Sequence, residues 1–409
     1  MINIFQLEVI ETPRLIIRPM RKGDEVLLHE AIMRSIDNLK PWMPWAREVS
    51  PERTQYMVER SIHEWDTQTA KQFSLVVVDK ASGDIIAATG YNDRTQVNIP
   101  IYEIGYWIDV RHAGKGLVTE YVNALTRYAF EVLGGIRVQI VTQVGNDKSS
   151  AVATRCGFRY ELAMPKYCLD CLSRLPAEGL LFAATSPEVL PELAVSWQHK
   201  PVMEPSFSPS YEAGPSDMQL SLQAIYSARL LIKPPSTADL LAWQDVYARS
   251  QSSLAPIFSW AAEPTLSSFD AMTFLENAEQ SAEDVFEARQ LSYFLWYRKA
   301  KALIGEIRFN ISDWSVMTTH CSFWLDPAYR DQGLMFEALQ SVMRSVFDML
   351  YAERVTVDVA VANTAARELM TQLNFTQEGL MQVCGRNYVT QATHDRVRFA
   401  LTEIDALAE

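Results

Sequence analysis

Cysteine and histidine are scarce, five and six among 409 residues. Cys156, Cys168, Cys171, Cys321 and Cys384 are odd in number and scattered, so no disulfide framework is expected. Cys168-Leu-Asp-Cys171 lacks both a second pair and nearby histidines, so no metal centre is expected either. Long apolar runs are missing, and nothing approaches the ~18 residues of a membrane span. The opening MINIFQLEVIETPRLIIRPM has acidic residues and no apolar leader core, so a cytoplasmic protein off the membrane is expected. Positive charge is short as well: 37 Lys and Arg stand against 50 Asp and Glu, a formal net charge of −13. Without a basic footprint nucleic acid is not an expected partner, and an acidic surface suits a cationic amine or a basic peptide. Two phosphate motifs are absent, the Lys-Ser/Thr end of a Walker loop and G-x-G-x-x-G.

What the chain does have is the stretch 109–132, DVRHAGKGLVTEYVNALTRYAFEV. Before it, 101–109 (IYEIGYWID) is rich in aromatic and β-branched residues and reads as a strand. After it, Leu117, Tyr121, Leu125, Tyr128 and Val132 recur at helical spacing. Gly114 and Gly116 therefore sit in a turn at a helix N-terminus, where bare N–H groups and the positive end of the helix dipole suit a pyrophosphate. A simple tight turn would use the same two glycines, so the glycines alone do not decide.

In chain order, 7–20 reads as an opening strand and Gly23-Asp24 starts a helix running to about 33. Leu39-Lys40-Pro41-Trp42-Met43-Pro44-Trp45 cannot be regular helix, and its two tryptophans either plug the core edge or form a lip of an acceptor pocket. Ser50 before Pro51 caps a second helix to about 67. Strands at 72–79 and 84–93 form a meander into the central strand 101–109. The strand 136–144 returns after the helix, hence parallel to 101–109, and leaves a ligand crevice at the carboxyl ends. Asn146 caps a short helix that Gly157 stops. Strands at 159–164 and 179–184 close the first half, and 186–197 forms a closing segment.

Residues 199–218 are dense in Pro, Ser and Gly and read as a linker, separating domains expected at 1–198 and 219–409, each near the usual ~200-residue size. The second half repeats the first. Arg229-Leu230-Leu231-Ile232 echoes Arg14-Leu15-Ile16-Ile17, Trp324-Leu325-Asp326 echoes Trp107-Ile108-Asp109, and Gln332-Gly333-Leu334 echoes Lys115-Gly116-Leu117. Asp326 follows Asp109 by 217 residues, as Asn363 follows Asn146.

Gly114-Lys115-Gly116-Leu117-Val118-Thr119-Glu120 after Trp107-Ile108-Asp109, with an Asn and then Gly-Phe downstream, resembles the acetyl-CoA loop of the GNAT acetyltransferase superfamily. Within it the string is closest to the RimJ/RimL-like branch, whose members acetylate protein N-terminal amines and some small amines. The resemblance implies an α/β (α+β) protein of two tandem GNAT folds, each a mixed, mostly antiparallel sheet with a parallel central strand pair and flanking helices. It also implies acetyl-CoA as cofactor, held by Ile108, Val110, Arg111, Ala113, Gly114, Lys115, Gly116, Leu117, Val118, Thr119, Asn146 and Arg155. The family's Arg/Gln-x-x-Gly-x-Gly/Ala consensus places Ala113 at its first position, so one side-chain phosphate contact is missing, with Arg111 or Lys115 near enough to supply charge.

Acetyl transfer from a thioester to an ammonium needs a base for the amine and a proton donor for the leaving thiolate. Glu103, in the family-like Glu-Ile-Gly-Tyr pattern, is the expected base, although a strand glutamate can be merely solvated. Ser149, in an Asn-x-x-Ser match, is the expected donor, with Tyr106 a further possible acid. Trp42, Trp45 and Tyr106 are expected near the acceptor, a peptide N-terminus or a small amine such as a polyamine or aminoglycoside. The second copy keeps Arg330, Gly333 and Asn363 but has His320 for Glu103 and Ala366 for Ser149. It is therefore expected to be degenerate, unless His320 serves as a base. A pair of non-catalytic acyl-CoA-binding or interaction modules is the rival expectation.

Overall fold

Runs of β-branched and aromatic residues, broken by Pro, Gly and Asp, fold as strands between amphipathic helices. The structure, a computed structural model, describes residues 3–92, 99–201, 221–262, 268–283, 285, 290–313 and 317–408. The chain divides into two compact units, Met1–Met164 with Cys168–Tyr211, and Pro165–Tyr167 with Glu212–Glu409. Most of the expected linker, 202–218, lies outside the described residues, as does the end of the strand expected at 84–93.

In the first unit nine strands form one sheet: β1 (Leu7–Glu11), β2 (Leu15–Pro19), β3 (Phe73–Asp79), β4 (Ile85–Tyr91), β5 (Ile101–Ile108), β6 (Arg137–Gln143), β7 (Arg159–Leu169), β8 (Pro176–Ala184) and β9 (Ser196–His199). Their order is β7-β8-β6-β5-β4-β3-β2-β1-β9. Helices α1 (Asp24–Leu39) and α2 (Pro51–Asp66) cover one face, packing Leu28, Ile32 and Val58 on Val76, Ile85 and Trp107. Helices α3 (Leu117–Glu131) and α4 (Asp147–Arg155) cover the other, packing Leu117, Tyr121, Leu125 and Val152 on Leu75, Val77, Tyr102 and Ile104. Strand alternation thus sends the even residues of β5 toward α3 and the odd ones, Glu103, Gly105 and Trp107, toward the α1–α2 face.

β5 is antiparallel to β4 and parallel to β6, but the parallel register covers only Ile101↔Arg137, Tyr102↔Val138 and Glu103↔Gln139. Past Glu103, β5 pairs with β4, and past Gln139, β6 pairs with β8. The two strands therefore part at their carboxyl ends, and a gap opens toward the glycine turn.

Four local expectations change. The opening strand of 7–20 is two antiparallel strands, because Thr12-Pro13 interrupts the ladder and the Thr12 hydroxyl bonds the Leu15 amide at 3.0 Å. Helix α1 runs to Leu39, since Ile32, Ile36 and Leu39 continue its apolar face until Pro41 disfavours further helix. The linker starts later than His199, which pairs with Leu7 in β9. Strands β7 and β8 also extend beyond 164 and begin before 179, joined by a turn where Asp170 accepts from Ser173 and Leu172 amides.

The second unit has the strands β10 (Ile225–Tyr226), β11 (Leu230–Lys233), β12 (Gln290–Tyr297), β13 (Ala302–Asp313), β14 (Thr318–Leu325), β15 (Arg354–Ala360), β16 (Thr376–Arg386) and β17 (Thr393–Leu401). Helices α5 (Leu240–Leu254), α6 (Ser259–Ala262), α7 (Ser268–Glu283), α8 (Leu334–Leu350) and α9 (Thr364–Gln372) complete it. Its order is β10-β11-β12-β13-β14-β15-β17-β16, and β14 and β15 are parallel over Thr318↔Arg354, Thr319↔Val355 and His320↔Thr356. Among the described residues no helix is long and apolar enough to cross a membrane.

Candidate active site

The glycine turn is a short 3-10 turn, Val110–His112, followed by an exposed loop, 113–116, and the start of α3. Gly114 and Gly116 have φ of +74° and +76°, left-handed conformations that a Cβ would strain. The first intrahelical bond of α3 runs from the Glu120 amide to the Gly116 carbonyl, so helix geometry leaves the Leu117, Val118 and Thr119 amides pointing outward without helical acceptors. A pyrophosphate fits such an open row of donors. Arg14 holds the loop: its Nη1 donates to the Lys115 carbonyl at 2.9 Å and its Nε to Glu120 at 2.6 Å. Arg229 does the same in the second unit, to the Gln332 carbonyl at 2.8 Å and Glu337 at 2.6 Å. Sequence reading missed this clamp, although both arginines opened the matching Arg-Leu strings.

The other loop residues have defined places. Ile108 packs on the core, and Val110 is exposed with its amide bonded to Ser35 at 2.9 Å. Arg111 is turned back to Asp109 at 3.0 Å, and Arg34 reaches the same carboxylate at 2.9 Å. Burial pushes the Asp109 carboxyl up, but these arginine bonds prevail and hold it below its usual range. Lys115 and Ala113 are exposed on the loop. Arg155 lies beside Thr119, Nε to Oγ1 at 3.5 Å, and Asn146 caps α4 by accepting from the Ser149 amide at 3.2 Å.

Across the parted strands, the Tyr106 hydroxyl lies 2.9 Å from Ser149 Oγ and donates to the Ser149 carbonyl at 3.1 Å. Burial pushes the phenol well above its usual value, against the lowering effect of the serine bond, so Tyr106 keeps its proton at neutral pH. On the opposite face, Glu103 is 2% exposed, so it is not a merely solvated strand glutamate. Its two oxygens accept from Asn92 Nδ2 at 2.6 Å and Gln139 Nε2 at 2.8 Å.

Beside Glu103, Gly90 and Gly105 face each other across β4 and β5. A Cβ on Gly105 would meet nothing within 4 Å, whereas one on Gly90 would strike the Phe73 carbonyl at 2.0 Å. Gly90 thus lets β4 pass close to the Phe73 backbone, while Gly105 leaves open space two residues along the Glu103 face of β5. Trp107 follows on the same strand face, with the Trp45 ring 6.0 Å from it, and Trp42 lies against Gly145 beyond β6. Sequence reading named both tryptophans but not Gly90, which pairs with Gly105, nor Asn92 and Gln139, whose amides bond Glu103.

The second unit fills the same place. Arg308 and Ser322 stand in register where Gly90 and Gly105 do. The Arg308 guanidinium bonds buried Glu306 at 2.8 Å and lies over the Trp260 and Phe274 rings, 5.8 and 5.2 Å from their centroids. His320 touches Thr356, Nδ1 to Oγ1 at 3.2 Å, and Phe323 and Ala366 occupy the positions of Tyr106 and Ser149. The cradle backbone persists, with φ of +60° at Asp331 and +69° at Gly333, while Arg330 bonds the Leu325 carbonyl and Ser253 and Asn363 caps α9.

A model of the acetyltransferase (GNAT) domain matches residues 14–159 and again 229–376, more than half of the chain. The chain belongs to the GNAT acetyltransferase family. It is an acetyltransferase built from two GNAT folds in tandem. YdaF of Bacillus subtilis (strain 168), which carries the name of a ribosomal N-acetyltransferase, is 34% identical over 145 residues, 36% of this chain and 78% of that protein. The ribosomal-protein-serine acetyltransferase of Escherichia coli (strain K12) is 28% identical over 33% of this chain and 73% of its own length. A solved structure of RimL, a ribosomal L7/L12 α-N-protein acetyltransferase in complex with coenzyme A, matches at 18% identity over 44% of this chain and 98% of that one, with a TM-score of 0.40.

Proposed function

We propose that the first GNAT unit acetylates the free α-amine of a protein or peptide with acetyl-CoA as donor, that this happens in the cytoplasm, and that the second unit does not catalyse. Acetyl-CoA would lie with its pyrophosphate on the amides of 117–119 and supplies the acetyl thioester. The observation that carries the reading is the open space at Gly105, on the same face of β5 as Glu103. An amine entering it meets a buried carboxylate able to take its proton, worth about 10²–10⁴-fold in rate for a positioned base. The hydroxyl pair Tyr106–Ser149 stands on the other side of the parted strands, ready to return a proton to the leaving sulfur. A ribosomal-protein terminus is the favoured acceptor because the names of YdaF and of the Escherichia coli relative are those of ribosomal acetyltransferases.

In the second unit the base, the hydroxyl pair and the glycine pair are all replaced, by His320, by Phe323 with Ala366, and by Arg308 with Ser322. Loss of all three together supports a non-catalytic copy. The test is CoA release by the full chain with a serine-initiated peptide, the same peptide N-terminally blocked, and spermidine. Turnover with the free peptide alone is expected; turnover with spermidine but not the peptide would move the acceptor to small amines.

A further inference from the structure

Glu103 lies on a continuous line of hydrogen bonds across the sheet. Arg137, fully buried, gives its Nη1 and Nη2 to the Glu161 carboxylate at 3.0 and 2.7 Å. Its Nε donates to Gln139 Oε1 at 3.1 Å, and Gln139 Nε2 donates to Glu103 Oε2 at 2.8 Å. An arginine only donates, so the Gln139 atom facing it must be oxygen. That fixes the amide so that its NH2 faces the carboxylate.

We infer that Gln139 is a positioning residue for the base, its amide oriented by Arg137 so that Glu103 is held toward the open space at Gly105. The inference rests on the reading of Glu103 as base. With the amide reversed, its oxygen would face the carboxylate, two acceptors in contact, and Glu103 would turn away. The second unit separates this role from a structural one. There the buried ion pair persists as Arg354 with Glu378, yet Thr356 stands in register for Gln139 and His320 for Glu103. The ion pair survives without a glutamine beside it; the glutamine accompanies the glutamate.

Gln139→Thr is the apt variant, because the second unit folds with threonine at that register position. In the full chain, with the serine-initiated peptide, its kcat should fall about tenfold while KM for acetyl-CoA stays unchanged, about 1.4 kcal/mol being a factor of ten. In a Glu103→Gln background the same substitution should cost nothing further, since it acts through the carboxylate. A crystal structure of Gln139→Thr should show Glu103 turned from its place beside Asn92. Wild-type kcat in Gln139→Thr, or equal losses in both backgrounds, or an unmoved Glu103, would overturn the inference while leaving the base in place. Wild-type turnover in Glu103→Gln would instead overturn the base and this inference with it. If Gln139→Thr melts far below the wild type, Gln139→Glu keeps the bond to Arg137 and puts an acceptor against Glu103. It must lose at least as much turnover, or the inference fails.

Discussion

Tyr106 and Ser149 touch across strands that have parted, and burial keeps the phenol's proton in place. Tyr106→Phe and Ser149→Ala should each lower kcat about tenfold, roughly 1.4 kcal/mol of barrier. The double variant should lose little more than either single one, because the two hydroxyls act as one donor. Losses that multiply in the double variant's kcat would assign them separate tasks. His320 gives a second prediction at this scale. Burial holds its pKa below the usual value; Asp358 opposes this and Arg398 and Arg396 add to it. The folded ring then stays neutral where the unfolded ring takes up a proton. The stability it contributes is present above about 6.5 and is lost as pH falls toward the lower folded value. His320→Gln should therefore lose less Tm than wild type between about pH 7 and 5, with His394, also lowered by burial, contributing the same sign in both proteins. Parallel curves would contradict this.

At the scale of elements, the site is a strand pair that parts, a glycine turn and a helix start. The Glu103 face of β5 is open at Gly105, so Gly105→Leu should leave Tm and acetyl-CoA affinity unchanged and raise the acceptor KM at least tenfold. An unaltered acceptor KM would put the amine elsewhere. Gly116→Ala forces a side chain onto φ +76°, at a cost of about 1 kcal/mol, and should weaken acetyl-CoA binding measured by calorimetry. Strand 101–108, the glycine turn and α3 were legible from period and punctuation, because their signals are local. The surroundings of Glu103 were not. Alternation gives its face, but Asn92, just past β4, and Gln139, on β6, are 11 and 36 residues away, and no sequence period links them to it. Likewise the break at Thr12-Pro13 depends on a hydroxyl-to-amide bond that composition does not display.

Over the whole molecule, the tandem was legible because one spacing of 217 residues joins the tryptophan-bearing strand, the glycine turn and the asparagine cap. Losses at His320 and Ala366 could also be read by position. The place of Arg308 could not, since it matches Gly90 only through the register of β13 with β14. The division of labour between the units is therefore testable in the intact chain. Initial rates of acetyl transfer to a serine-initiated peptide should be compared for wild type, Glu103→Gln and His320→Gln. A fall of at least a hundredfold in Glu103→Gln, with His320→Gln close to wild type, is the expected result. Full activity in Glu103→Gln with loss in His320→Gln would place catalysis in the second unit and contradict the assignment of the base.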